Sequence, residues 1–202
     1  MPATKVTRPS QGSSTFDIID GISFPGLGSG GFGPNDFLIV GDDADNLDLI
    51  GESGHDEIEG EAGNDTLLGG DGNDTLEGDA GDDDLDGQTG TDILFGGDGN
   101  DILRAGDGHD LMTGGAGNDT FGFYGVGTFH VNDFIVGEDR FFFDAEKVGV
   151  DNVTDLVAAI TSVESTVNGV NVVFGGGIAS IELVGMTNLD SITADMVVFS
   201  LS

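Results

Sequence analysis

The chain has no cysteine and no tryptophan among its 202 residues, and only 5 residues are lysine or arginine. Without cysteine there is no disulfide framework, no zinc–thiolate centre and no thiol nucleophile. Against those 5 basic residues stand 38 acidic ones, for a formal net charge of −33. Nucleic acid would repel such a polyanion at long range. No apolar run approaches the ~18 residues that a membrane-spanning helix needs. Residues 1–14 lack the apolar centre of an N-terminal secretory signal. Neither H-E-x-x-H nor G-x-S-x-G occurs, and the three histidines, His55, His109 and His130, are scattered. No catalytic constellation stands out, and we expect no enzyme.

What the chain does have is glycine, 37 residues of it, and a hydrophobic share of 37%. Its apolar residues are patterned rather than scattered. A chain this acidic repels itself when compact, so bound cations are the expected partner of folding. Residues 1–35 are rich in Gly, Ser and Pro and hold all four prolines, Pro2, Pro9, Pro25 and Pro34; they read as a flexible segment with a short strand over 16–24. A G-x-G-x-x-G match at Gly26, Gly28 and Gly31 runs into Pro34-Asn35-Asp36 rather than a helix, which argues against nucleotide binding.

From Gly51 to Gly122 the sequence repeats every nine residues: GESGHDEIE, GEAGNDTLL, GGDGNDTLE, GDAGDDDLD, GQTGTDILF, GGDGNDILR, AGDGHDLMT and GGAGNDTFG. The fourth residue of every unit is glycine. The sixth is always aspartate: Asp56, Asp65, Asp74, Asp83, Asp92, Asp101, Asp110 and Asp119. The eighth is always apolar: Ile58, Leu67, Leu76, Leu85, Leu94, Leu103, Met112 and Phe121. Each unit therefore reads as a glycine turn followed by a short strand, with the eighth residue inward and the seventh and ninth outward. Asp36-x-Leu38 and Asp45-x-Leu47 suggest degenerate capping turns over 36–50, with two residues inserted before the strict array.

These units resemble the nonapeptide G-G-x-G-x-D-x-U-x of the RTX (repeats-in-toxin) family, whose repeats bind calcium. The resemblance implies an all-β fold: a right-handed parallel β-roll, or β-solenoid, in which two units form one coil and units 18 residues apart stack on one side. Asp56, Asp74, Asp92 and Asp110 would then line one edge, and Asp65, Asp83, Asp101 and Asp119 the other. Stacked strands lie ~4.8 Å apart, so a cation between coils would meet an aspartate from each together with carbonyl oxygens, a donor set that suits calcium. The carbonyls would come from Gly51, Ser53, Gly54, Gly60, Ala62, Gly63, Gly69, Gly70, Asp71, Gly72, Gly78, Ala80, Gly81, Gly87, Thr89, Gly90, Gly96, Gly97, Asp98, Gly99, Gly106, Asp107, Gly108, Gly114, Gly115, Ala116 and Gly117. Three gaps on each of two edges give about six calcium ions for the strict array. The segment 51–122 carries 20 acidic residues and one basic residue, Arg104, so its folding should wait for calcium, at ~10⁻⁴–10⁻³ M in the manner of extracellular modules. Asp86, at an outward ninth position, is expected to matter little.

Residues 123–202 read as a mostly-β cap containing one short helix. Val131–Asp144 resembles the D-F-x-x-G-x-D segment that follows RTX arrays; Asp133, Asp139 and Asp144 either hold a further ion or are solvated acids. The spacing of Val153, Leu156, Val157 and Ile160 predicts a helix over 151–163 capped by Asn152 or Asp151. Asn168-Gly169 marks a hairpin, and 178–184 a further strand. The last eight residues, from Asp195, resemble the C-terminal signal of type I secretion substrates, and also read simply as a last strand. His55 and His109, at fifth positions three coils apart, cannot share one metal. Ile93, Phe95 and Leu111 should point out from one sheet face, and Leu68 and Ile102 from the other, to be covered by the cap or to meet another copy or a partner.

The expected function is a secreted, non-enzymatic calcium-binding protein, structural or adhesive, outside the cell or on its surface. The alternatives are the export and folding module of a larger secreted enzyme, or a glycan-binding module. Ice binding is disfavoured, because Thr89 is the only threonine at a third position.

Overall fold

A computed structural model describes residues 5–9, 15–20, 37–41, 45, 49–144, 149, 152–175, 179–187, 189 and 192–199. The Gly26–Gly31 motif lies outside them. Within the strict array every unit contributes one inward apolar residue per strand. Two parallel ladders result, stacked through these residues.

The first ladder runs through β3 (Phe37–Val40), β5 (Glu57–Glu59), β7 (Thr75–Ala80), β9 (Ile93–Asp98), β11 (Asp107–Ala116), β13 (Gly127–Val131) and β17 (Ala179–Val184). The register stacks Ile39, Ile58, Leu76, Leu94, Met112, Val131 and Leu183 on one line. The second ladder runs through β4 (Leu49–Gly54), β6 (Thr66–Gly72), β8 (Asp84–Gly90), β10 (Ile102–Arg104), β12 (Thr120–Phe123), β14 (Arg140–Phe143) and β18 (Val197–Val198). It stacks Leu49, Leu67, Leu85, Leu103, Phe121, Phe141 and Val197. From Leu49 to Phe121 these inward residues are wholly buried. The architecture is a parallel β-solenoid, a β-roll.

Antiparallel strands terminate the first ladder at both ends, as solenoids require of their caps. At the N-terminal end, β1 (Lys5–Pro9) pairs with β2 (Thr15–Asp20), and β2 with β3. At the C-terminal end, β15 (Ile160–Ser165) and β16 (Gly169–Phe174) form a hairpin that pairs onto β17.

Two local expectations are corrected. The array does not break before Gly51: Leu49 lies nine residues before Ile58 and pairs in register with Leu67. The irregularity comes earlier, where Ile39 rather than Leu38 meets Ile58. The inward slot selects an apolar side chain, so the slot, not the aspartate, carries the register past the strict repeats. The helix α1 (Val153–Ala159) is also shorter than its apolar spacing suggested. The Asn152 side chain caps it by accepting the Asp155 N–H at 3.0 Å. At Ile160 the chain turns into β15, whose β-branched Ile160, Thr161 and Val163 favour a strand.

Candidate metal centre

All eight sixth-position aspartates are buried, with at most 3% exposure. They face inward because positions six, eight and one of the next unit alternate along the strand. Seven of these carboxylates are fixed from the preceding coil. The Oδ1 atoms of Asp74, Asp83, Asp92, Asp101, Asp110 and Asp119 accept the main-chain N–H groups of Asp56, Asp65, Asp74, Asp83, Asp92 and Asp101, at 2.8–3.0 Å. At the N-terminal end Asp56 accepts the Phe37 N–H at 2.6 Å. Two continuous aspartate ladders therefore run along the two edges of the roll.

The second oxygen of each carboxylate is the informative one. In Asp83, Asp92, Asp101 and Asp110, Oδ2 is buried and has no hydrogen-bond partner among the described residues. A buried, unsatisfied anionic oxygen is costly. The same oxygens face the first-position glycines. A Cβ placed on Gly69 would lie 2.6 Å from Asp74 Oδ2 and 2.9 Å from the Gly87 carbonyl oxygen, and one on Gly87 would lie 2.6 Å from Asp92 Oδ2 and 3.0 Å from the Ala105 carbonyl oxygen. Gly51, Gly60, Gly78 and Gly96 repeat the arrangement, facing Asp56, Asp65, Asp83 and Asp101 together with the carbonyls of Gly69, Gly78, Gly96 and Gly114. In six places, then, a carboxylate oxygen and a carbonyl oxygen of the following coil converge on space that glycine leaves clear. At Asp83, Asp92 and Asp101, where the carboxylate oxygen has no hydrogen-bond partner among the described residues, two converging acceptors fit a hard cation. Asp56, Asp65, Asp74, Asp83, Asp92 and Asp101 with these turn carbonyls are the residues that would hold calcium; Asp110 and Asp119, also expected from the sequence, continue the ladders without a carbonyl paired to them in this way.

Fourth-position glycines serve the chain rather than the oxygens. Gly72 has φ of 154°, and a Cβ there would overlap the Gly54 carbonyl of the preceding coil. Third-position carbonyls are already engaged: those of Ala80, Asp98 and Ala116 accept the N–H groups of Gly63, Gly81 and Gly99 at 2.8–2.9 Å, and each retains a second lone pair. The other carbonyls expected from the sequence lie in the same turns. Among the described residues no three carboxylate or imidazole side chains gather into a self-contained metal centre, so any site is completed by main chain.

Electrostatics reflect this arrangement. Burial raises the carboxyls of Asp83 and Asp92 to about 7, and those of Asp101, Asp110 and Asp119 to about 6. The N–H that each accepts acts in the opposite direction, and neighbouring carboxylates add to the rise. Without a cation these groups resist ionisation.

Two features were missed by sequence reasoning, and a third, Asp139, was singled out there but without its place in the ladder. The Ala105 carbonyl takes a place in the oxygen set although a glycine pattern passes it over. Asp139, 3% exposed, extends one ladder by a further rung: its Oδ1 accepts the Asp119 N–H at 2.9 Å, 20 residues away. Its Oδ2 accepts the Ile135 N–H at 2.6 Å, so a peptide donor stands where Asp83, Asp92, Asp101 and Asp110 offer a bare oxygen. The second missed feature is an outer ladder at the fifth position. Asn64 Oδ1, Asp82 Oδ1 and Asn100 Oδ1 accept the N–H groups of Asp82, Asn100 and Asn118 on one edge. On the other edge His55 Nδ1 accepts from Asn73, and Asn73 from Thr91. The run His, Asn, Asn, Asp, Thr, Asn, His, Asn at that position, all short acceptors, was the available signal.

Of the acids of the C-terminal segment, Asp133 lies apart from the Asp139 rung. Asp133 accepts the N–H groups of Gly114 and Gly115, both at 2.9 Å. Asp86 departs from expectation: it accepts the Tyr124 hydroxyl and lies 3.4 Å from Arg104. Arg104 also contacts Asp84 at 2.5 Å. Ile93 pairs beside Leu111 with Phe95 close by on the first sheet, and Phe95 is 36% exposed.

Comparison with known proteins bears on the repeat region. Residues 50–85 and 86–121 match the family model for the RTX calcium-binding nonapeptide repeat (4 copies). No curated protein matches the chain. Among solved structures, the solution structure of the AlgE6R3 subunit from the Azotobacter vinelandii mannuronan C5-epimerase aligns at 21% identity and a TM-score of 0.32, over 78% of this chain and 80% of that one.

Proposed function

Because residues 50–121 are RTX calcium-binding nonapeptide repeats, we propose that this chain is a non-enzymatic extracellular module that folds when it binds calcium. The observation that carries the reading is the set of buried aspartate oxygens facing the carbonyls of the next coil across glycine-cleared space. Bound calcium supplies the positive charge that offsets the carboxylates, and their oxygens serve as its hard donors. The aspartates of one coil and the carbonyls of the next are its ligands, and six such pairs correspond to about six ions. The N–H ladder holds each carboxylate in place, and the inward apolar stack holds the coils in register.

Folding then follows calcium. The core is one apolar side chain per nine residues, thin against ~1–2 kcal/mol of backbone entropy per residue, and the carboxylates repel one another. Ion binding free energy becomes folding free energy. At cytosolic calcium the chain stays unfolded, as export through a type I secretion system demands; outside the cell it folds as a structural or adhesive module. The C-terminal residues from Asp195 serve both as the export signal and, through β18, as the last strand of the second ladder.

The test is a calcium titration of chelator-treated protein, followed by far-UV circular dichroism and light scattering together. We expect a cooperative coil-to-β transition near millimolar calcium. A chain already rich in β-structure in chelator would overturn calcium-coupled folding. Growth in mass through the transition would identify a self-assembling matrix protein, and constant mass a monomeric module.

A further inference from the structure

The last coil of the roll and the C-terminal strands do not pack flush. Between the Tyr124–Val126 turn, β14, α1, β16 and β17 lies a cavity of about 360 Å³. Its walls include Phe123, Phe129, Phe143, Phe174, Leu156 and Ile181. The rings form a connected set, with Phe123 at 5.3 Å from Phe129 and 5.4 Å from Phe143, and Phe143 at 6.1 Å from Phe174. The cavity is a cleft about half open to solvent, whereas the stacked core beside it is wholly buried. An apolar cavity of about 150 Å³ already admits benzene; this one is more than twice that size.

The polar groups at the cavity are few. The Tyr124 hydroxyl is committed to Asp86. Asp107 is exposed, with one carboxylate oxygen accepting the Val126 N–H at 2.8 Å. None of the described residues lining the cavity is basic. The chain as a whole carries a net charge of −33, which disfavours any ligand bearing a carboxylate or phosphate. Aromatic faces, by contrast, attract cations.

We propose that this cavity binds a small organic cation, an ammonium group on an aromatic or branched aliphatic body of about the size of an indole. The body lies among the phenylalanine rings and the ammonium meets Asp107 at the rim. This site is separate from the aspartate ladders, and the inference does not rest on calcium-coupled folding.

The test uses the full chain in saturating calcium and three probes with closely similar bodies: tryptamine, neutral 3-ethylindole and anionic indole-3-propionate. The chain has no tryptophan, so indole fluorescence reports the probe alone. We expect tryptamine to bind saturably, 3-ethylindole about fivefold more weakly, as for an exposed ion pair, and indole-3-propionate about tenfold or more weakly than tryptamine. Ala159→Phe and Ala179→Phe each place a ring into the cavity and should weaken tryptamine binding by more than about tenfold, with the calcium-loaded circular dichroism spectrum unchanged. Absence of saturable tryptamine binding, equal binding of the amine and the acid, or unchanged binding by a folded filling variant would each overturn the proposal. If both filling variants fail to fold, the charge series on the unaltered chain decides alone.

Discussion

A single methyl group offers a sharp test of the glycine-cleared sites. Gly69 is not in the left-handed region, so Gly69→Ala introduces no backbone strain of that kind. Its new Cβ would stand 2.6 Å from Asp74 Oδ2 and 2.9 Å from the Gly87 carbonyl oxygen. Ordinary contacts lie near ~3.5 Å, so the carboxylate must retreat by roughly 1 Å. That movement breaks its 2.8 Å bond to the Asp56 N–H, at about 1.5–3 kcal/mol for a charged acceptor. The stiffer unfolded chain returns about 0.4–1 kcal/mol. If the displaced oxygen was also a calcium ligand, one ion is lost, worth about 1.4 kcal/mol at tenfold saturation. The total is about 3 kcal/mol and one ion fewer per chain. Equilibrium dialysis gives the stoichiometry, and denaturant unfolding at fixed calcium gives the stability. Thr75→Ala, at a half-buried outward position, should cost under about 0.5 kcal/mol and no ion. If Gly69→Ala bound the full complement of calcium with unchanged stability, the cation would not lie where the glycines make room.

Acidification provides a second check. Asp83 and Asp92 stand at about 7 in the ion-free fold against an ordinary value of 3.8. The folded state therefore holds more protons across that window, and its stability is present below the lower value and lost as pH rises through the upper one. The calcium-free chain should gain β-structure on acidification through this range; a flat circular dichroism signal would count against buried ladder carboxylates. Asp86→Ala, expected from sequence to be silent, should lower the calcium-loaded unfolding free energy by about 1–3 kcal/mol, because it removes the Asp86–Tyr124 hydrogen bond and one carboxylate beside Arg104; urea unfolding measures this, and a change under about 0.5 kcal/mol would contradict it. Asp139→Asn replaces one of two acceptor oxygens with a donor, facing the N–H groups of Asp119 and Ile135. Amide exchange in calcium should quicken at both groups while the first coils stay protected, and uniform protection would refute the rung.

The repeat region was legible because three constraints fall on three fixed positions. The eighth residue must fill an inward slot, the fourth must let neighbouring coils approach, and the sixth must present a carboxylate. Where only one constraint survives, the reading slipped. Leu49 and Ile39 keep the inward slot without the aspartate, so matching on aspartate placed the insertion on the wrong side of Leu49. The fifth position seemed free because its residue names vary, yet the shared property is a short acceptor able to reach the N–H of the neighbouring coil. Asp86 was invisible for a different reason: its partners Tyr124 and Arg104 are 38 and 18 residues away, and no periodicity announces Tyr124.

How the roll stops also follows from the same oxygens. One edge continues from Asp119 to Asp139, where the Ile135 N–H satisfies the second carboxylate oxygen; a peptide donor there needs no cation, and the ladder can end without leaving a bare acceptor. The other edge meets Phe129 in register with Asp110, so the acid gives way to a ring that packs against Phe123 at 5.3 Å. The first removes the demand for a cation by hydrogen bonding; the second ends the row of acids but leaves the Asp110 Oδ2 itself bare. Beyond them the chain carries the aromatic stack of Phe134 on Phe141, at 4.2 Å, and the antiparallel hairpin. The transition from ion-held coils to a conventionally packed end is thus set by which atom faces each final aspartate.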